Sequence, residues 1–188
     1  MKQIILGTIL TAILFSSIPS FGQSNKQFKQ EFLETINRTR QKGCTCGTTR
    51  MPAVAPIVWN DLLEDAAYSH AKDMARYNYF SHTSKDGRSS SDRIMAAGYG
   101  FNGFRTYAAG ENIAFGQQSI AEVMAGWFKS EGHCKNLMNP AFKEVGAARV
   151  NDYWVQDFGG REAFSDEQQQ AIKSGRYRII QKKVMQHE

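Results

Sequence analysis

Two histidines and a carboxylate stand apart in this 188-residue chain because of where they sit: His82, Glu111 and His133. His82 follows the aromatic residues Tyr77, Tyr79 and Phe80 and opens a polar, glycine-bearing stretch up to Ser91. His133 follows Gly132, just beyond an apolar helical pattern. Both histidines thus fall just past the end of a predicted helix, where side chains converge at the rim of a layered domain. Glu111 lies in "AGENIAFG", residues 109–116, between a glycine and an asparagine. That setting predicts a carboxylate held by turn geometry, with Asn112 lining a cleft or else bonding backbone to fix the loop. Two imidazoles and a carboxylate make a set of zinc ligands, and the same trio handles protons near neutral pH. The spacings, 29 residues and then 22, match no compact metal motif. Glu131, two residues before His133, is a fourth candidate ligand or else a solvated helix-end residue.

The other histidines have plainer readings. His70 falls on the apolar stripe of a predicted helix and reads as a satisfied core residue, and His187 lies in the tail. Nucleophilic catalysis has no support: there is no Gly-x-Ser-x-Gly, no phosphate-cradling glycine loop and no His-Glu-x-x-His pair. The net charge of +5 is spread along the chain and gives no indication of nucleic-acid binding.

The elements that must position these residues follow from periodicity. Lys2, the uncharged run Ile4 to Phe15 and the small-residue pattern Ser20-Phe21-Gly22 read as a secretory signal peptide over 1–22, cleaved near Gln23. The run is too short to span a membrane, which takes roughly 20 residues. Phe28, Phe32, Leu33 and Ile36 predict an amphipathic helix over 25–40. A second is expected from about Asn60 to Asn78, with Asp61 and Glu64 as an acidic capping pattern and a stripe of Leu62, Leu63, Ala66, Ala67, His70, Met74 and Tyr77. Ser89 with Asp92 caps a short helix, and Ser119 with Glu122 caps the helix bearing Val123, Met124, Trp127 and Phe128, which Gly132 is expected to end. Residues 99–118 show no sustained period and are expected to hold one strand in a loop region. Val145–Val150 and Tyr153–Phe158 read as strands joined at Asn151-Asp152, residue types suited to a tight hairpin. Gly159-Gly160 is expected to break the chain before a polar extension, 161–188. There Ser165 with Gln168 caps a short helix, and Arg176, Arg178, Lys182 and Lys183 form a basic patch.

Three cysteines, Cys44, Cys46 and Cys134, allow one bridge and leave one thiol. Cys44 and Cys46 are too close together to gain much by pairing. A bridge from either to Cys134 closes a loop of about 90 residues, worth up to about 4 kcal/mol in the chain-entropy model. Cys46 with Cys134 is the favoured pair, a reduced set the alternative.

Four stretches in order, "YFSHTSKDGRSSSDRI", "AGENIAFG", "VMAGWFKSEGHCKNLMNPAFKEVGAA" and "YWVQDFG", resemble the CAP superfamily of cysteine-rich secretory, antigen 5 and pathogenesis-related 1 proteins. The likeness covers about residues 28–160, so residues 23–160 are expected to form the CAP (SCP) domain, and it is nearest to the bacterial secreted branch through Ser130 to Pro140. The resemblance implies an α+β fold, a three-layer α/β/α sandwich with a central, mostly antiparallel sheet and one large cleft. It also implies a divalent-metal site, zinc foremost, at which His82 matches the first histidine, Glu111 the acid of the Gly-Glu-Asn motif and His133 the histidine of the bacterial branch. Glu131 stands near the second acid but is offset by one residue from the eukaryotic pattern. Tyr153 takes the place of the second eukaryotic histidine, where it would line the cleft or donate a hydrogen bond.

Members of the family are implicated in lipid or sterol binding, channel block, signalling and proteolysis, so the fold alone does not settle activity. The leading expectation is a secreted, non-catalytic binding module whose cleft holds a divalent cation or a small or lipid ligand. The alternatives are a metal-dependent hydrolase or peptidase acting on extracellular or envelope substrates, with Glu111 or Glu131 as base, and attachment to an anionic envelope through the basic tail.

Overall fold

A computed structural model describes residues 21–176. Along the chain it places α1 (Phe21–Lys42), β1 (Cys44–Cys46), β2 (Thr49–Met51), β3 (Val58–Trp59), α2 (Asp61–Tyr77) and α3 (Ser90–Ala96). There follow β4 (Phe104–Phe115), α4 (Ile120–Lys129), α5 (Glu131–Leu137), β5 (Glu144–Val150), β6 (Tyr153–Ala163) and α6 (Asp166–Lys173). Residues 1–20 of the expected signal peptide, and Arg178, Lys182, Lys183 and His187, lie outside the described residues.

A four-stranded sheet in the order β3-β5-β6-β4 forms the middle layer. Its β5–β6 and β6–β4 pairs are antiparallel, and only the two-residue β3 pairs parallel, with β5. Strand side chains alternate between faces, so Trp154 and Phe158 point to one layer and Tyr153 and Val155 to the other. The first face packs Phe32 and Ile36 of α1, Val123, Met124 and Trp127 of α4 and Leu137 of α5. The second packs Ala67, Ala71 and Met74 of α2 and, further along, Ile94 of α3. This is the expected α/β/α sandwich, with β4 as a free edge of the sheet.

Local chemistry explains most element ends. The side chain of Asn60 caps α2 by accepting from the amides of Leu62 and Leu63, while Asp61 and Glu64 instead pair with Lys29 of α1 at 2.8 and 2.5 Å. Ser89–Asp92 and Ser165–Gln168 form full capping boxes. Ser119 accepts from Glu122 N, but the Glu122 carboxylate accepts from the amide of Gln118, one residue outside the cap. Asn151 takes the left-handed conformation that the β5–β6 turn requires.

Several expectations are corrected. Leu62 and Tyr77 do not belong to the buried stripe of α2 and are exposed. Gly132 does not end a helix: the break is at Ser130, whose extended backbone separates α4 from α5, so His133 lies inside a helix. Residues 104–115 are a continuous strand, and Glu111 is held by strand pairing rather than a turn. Gly110 is a glycine because a Cβ there would come 2.6 Å from the Phe142 ring. Gly159-Gly160 continues β6 rather than breaking it, because a Cβ at Gly159 would meet the Tyr99 ring and one at Gly160 the carbonyl of Ala141.

Arg40 ties α1 to the end of α5 and to two loops. It follows Phe32 and Ile36 at helical spacing, is fully buried, and donates to the carbonyls of Ala55 (2.8 Å), Leu137 (2.7 Å), Asn139 (3.2 Å) and Phe142 (3.0 Å). Burial pulls its pKa down to about 10, so it stays charged at neutral pH. Arg40→Met leaves those buried carbonyls without their donor, and the expected loss is about 4 kcal/mol, read from the urea midpoint at unchanged slope.

Candidate functional site

The edge strand β4 carries the candidate site on the face covered by α2 and α3. Glu111 sits mid-strand opposite Asp157 of β6. Its side chain is 2% exposed, yet both oxygens are engaged: Oε1 with His82 Nδ1 at 2.7 Å and Oε2 with Arg93 Nη2 at 2.5 Å. His82 itself is 38% exposed, so it forms the open end of a chain whose inner members are buried.

The loop bearing His82 is shaped by two buried side chains. His70 of α2 is hydrogen-bonded through Nε2 to the carbonyl of Ser81 at 2.9 Å. Arg93 of α3 donates through Nη1 to the carbonyl of His82 (2.9 Å), the hydroxyl of Ser84 (3.0 Å) and the carbonyl of Arg88 (3.0 Å). The arginine therefore neutralises Glu111 and fixes the loop at His82 and beyond it, while His70 holds it just before. His70 is the core histidine the sequence suggested, but it is satisfied on one side only: its Nδ1 is buried without a hydrogen-bond partner among the described residues, and burial holds its pKa below the usual histidine value.

On the opposite face of the sheet, Asn112 is fully buried and does not line open space. Its amide donates to the carbonyl of His133 (3.3 Å) and to Gln156 Oε1 (3.1 Å). Asn136 donates to Asn112 Oδ1 (2.9 Å) and to the carbonyl of Glu111 (3.2 Å). These bonds tie α5, and with it His133, to the strand that carries Glu111. Burial lowers the pKa of His133, and the nearby charge of His82 lowers it further, so the two imidazoles sense each other.

The remaining candidates, Glu131 and Tyr153, are held by other contacts. Glu131 pairs with Lys135 at 2.6 Å and packs against Gly47 in the β1–β2 turn, where a Cβ would come 2.4 Å from its Oε2. Tyr153 is buried in the α2 cluster, donates to Asn78 Oδ1 at 3.4 Å and packs edge-on against Phe115. Phe115 also meets Phe80, and both rings are half exposed beside the His82 loop. The ligating atoms of His82, Glu111 and His133 do not gather within 4.8 Å of one another, as three cysteine sulfurs do.

Sequence reasoning missed Arg93 and Asp157. Arg93 sits one residue past the Asp92 cap and gives no periodic signal. Asp157 lies in the apolar run "YWVQDFG", where a charged residue in a strand buried on both faces is itself the signal. Its oxygens meet no hydrogen-bond partner among the described residues. Burial, and after it the adjacent Glu111 carboxylate, push its carboxyl well above the usual range, which favours its neutral form.

A three-layer sandwich with a histidine–carboxylate pair at the free edge of its sheet is the architecture of a CAP domain. The chain matches the cysteine-rich secretory protein (CAP) family over residues 33–158 and belongs to that family. It is 31% identical over 153 residues to the uncharacterized protein YkwD of Bacillus subtilis, covering 80% of this chain and 54% of that one. It is 34% identical over 105 residues to the uncharacterized membrane protein YlbC of the same organism, covering 56% and 29%. The chain thus spans about half or less of the length of these relatives. An extracellular SCP-domain protein from Bacillus anthracis superposes with a TM-score of 0.59 at 28% identity, covering 76% of this chain and 44% of that one. An outer surface protein of Borrelia burgdorferi shares the fold at a TM-score of 0.56 and 21% identity, covering 76% and 96%.

Two outcomes are expected of the buried cluster. Arg93→Met leaves Glu111 buried beside a second carboxyl without its cation and costs about 3–5 kcal/mol in denaturant unfolding. Asp157 has a raised folded pKa, so the stability it contributes is complete below the unfolded carboxyl value of about 4 and is lost as pH rises through the folded value. Asp157→Asn removes that loss, and urea midpoints across the pH range should show the variant gaining on the wild type as pH rises.

Proposed function

We propose that this CAP domain is a secreted, non-catalytic binding module that takes a divalent cation, zinc foremost, at the imidazoles of His82 and His133. The observation that carries this reading is the chain Arg93–Glu111–His82. A carboxylate bonded to Nδ1 fixes the ring and raises its basicity, the support that metal-bound histidines usually have, and leaves ligand contact to Nε2. Glu111 thereby acts as the group that orients His82 rather than as a ligand, and Asn112 holds the helix carrying His133. Imidazole nitrogens are a donor type that suits zinc, so the two histidines fit the ion implied by the family in kind, with its remaining coordination left to water or a ligand. A bound cation would supply a positive centre for an anionic or carbonyl-bearing ligand.

The hydrolase reading is less favoured because the oxygens of Glu111 are committed to His82 and Arg93 and those of Glu131 face Lys135 and Gly47, which leaves neither placed as a base. A small amphipathic or lipid-like ligand is favoured as a co-occupant by one feature: the exposed rings of Phe80 and Phe115 flank the His82 loop. Secretion is supported by the N-terminal sequence pattern and by the description of the Bacillus anthracis protein as extracellular. No described helix is long and apolar enough to cross a membrane.

Zinc titrated calorimetrically into the full chain is expected to give one site that His82→Ala or His133→Ala abolishes and that Glu111→Gln weakens about 10–100-fold. Affinity is expected to fall as pH drops below about 6.5, since imidazole binds metal only when deprotonated. Isotherms unchanged by both histidine substitutions would rule the site out.

A further inference from the structure

Away from the cleft, the sulfurs of Cys44, Cys46 and Cys134 form a compact triangle. Cys44 and Cys46 are two residues apart on β1 and so project from the same face of the strand, toward α5. Cys46 and Cys134 are bonded, as the sequence favoured, and both are fully buried. Cys44 is free and half-buried, with its Sγ 3.7 Å from Cys134 Sγ and 3.8 Å from Cys46 Sγ. No function assigned to the cleft uses this thiol.

We propose that Cys44 is an exchange thiol for this disulfide, so that the bridge migrates to Cys44–Cys134 and Cys46 becomes the free cysteine. In the step, Cys44 gives its proton to solvent and the thiolate attacks Cys134 Sγ. The Cys44–Cys134 bond forms as the Cys46–Cys134 bond breaks, and the leaving electron pair stays on Cys46 Sγ, which takes up a proton. No net oxidation occurs, so no outside oxidant or reductant is required. Cys44 stands beside the bridge at near-equal distance from its two sulfurs, so attack requires its side chain to turn into line with the bond. A three-residue strand paired only with β2 allows that turn.

Chain entropy does not choose between the pairings, because their sequence separations are 90 and 88 residues and loop cost grows only with the logarithm of length. Burial pushes the Cys44 thiol up, with Arg50 pulling the other way, so the thiolate is scarce and exchange slow near neutrality. Cys134 directly follows His133, so the bridge that moves is one that anchors the helix carrying a cleft imidazole. The exchange itself does not depend on the reading of the cleft.

The test is disulfide mapping of the full chain. Wild type is incubated without oxidant, quenched in acid, unfolded, alkylated and digested. The expected result is a growing fraction with Cys46 alkylated and a Cys44–Cys134 linked peptide, which Cys44→Ser lacks. Cys46→Ser, air-oxidised, is expected to form the Cys44–Cys134 bridge in most molecules. Alkylation confined to Cys44 in wild type at every time point overturns the proposal, whether or not the Cys46→Ser variant folds or bridges.

Discussion

The ion pair between Arg93 and Glu111 is the interaction on which the site depends. A carboxylate in the middle of a sheet strand, beside a second carboxyl on the neighbouring strand, is untenable without compensation. Arg93 supplies the opposite charge, and burial beside Glu111 shifts Asp157 toward its neutral form. The same guanidinium gathers the carbonyls of His82 and Arg88 and the hydroxyl of Ser84, so one buried cation sets both the charge state of Glu111 and the path of the loop that displays His82. The histidine is therefore oriented by the core although it reaches solvent.

The opposite face of β4 does the corresponding work for His133. Asn112 and Asn136 link the strand to the short helix α5 through side-chain amides, while Arg40 satisfies carbonyls at the end of that helix and just beyond it. Neighbouring residues of one strand, Glu111 and Asn112, thus point to opposite layers and position the two histidines from opposite sides of the sheet edge. This division follows from the two-residue period of a strand, and it explains why the Gly-Glu-Asn stretch is a unit. Gly110 admits the Phe142 ring, Glu111 holds one histidine and Asn112 the other.

Membership in the CAP family fixes the scaffold and leaves the ligand open, since the curated relatives are uncharacterized and longer than this chain. What distinguishes this site is charge compensation. Because Glu111 is already paired, a cation there would meet imidazole nitrogens more than negative charge, and the exposed aromatic pair beside them gives the rim an apolar side.

Much of the fold was legible in the sequence. The helical stripes, the capping residues Ser89, Ser119 and Ser165, and the Asn151-Asp152 turn all report local hydrogen bonding or one-sided burial, which leave a periodic trace. His82, Glu111 and His133 stood out for the same reason, as polar residues where the local pattern breaks. What the chain alone concealed were the long-range facts. Strand β4 carries no clean alternation, because only its middle, Glu111–Ile113, is buried on both faces, while Gly110 is set by the close approach of the Phe142 ring. Gly159-Gly160 looked like a break because nothing local reveals that Tyr99 and Ala141 lie against it. Arg93, Asp157 and Arg40 acquire their roles only from groups distant along the chain. The sequence by itself determined which elements form and which residues are candidates. Only the tertiary structure decided which of those are charged, neutral or paired, because burial and the distance between charges are properties of the assembled layers.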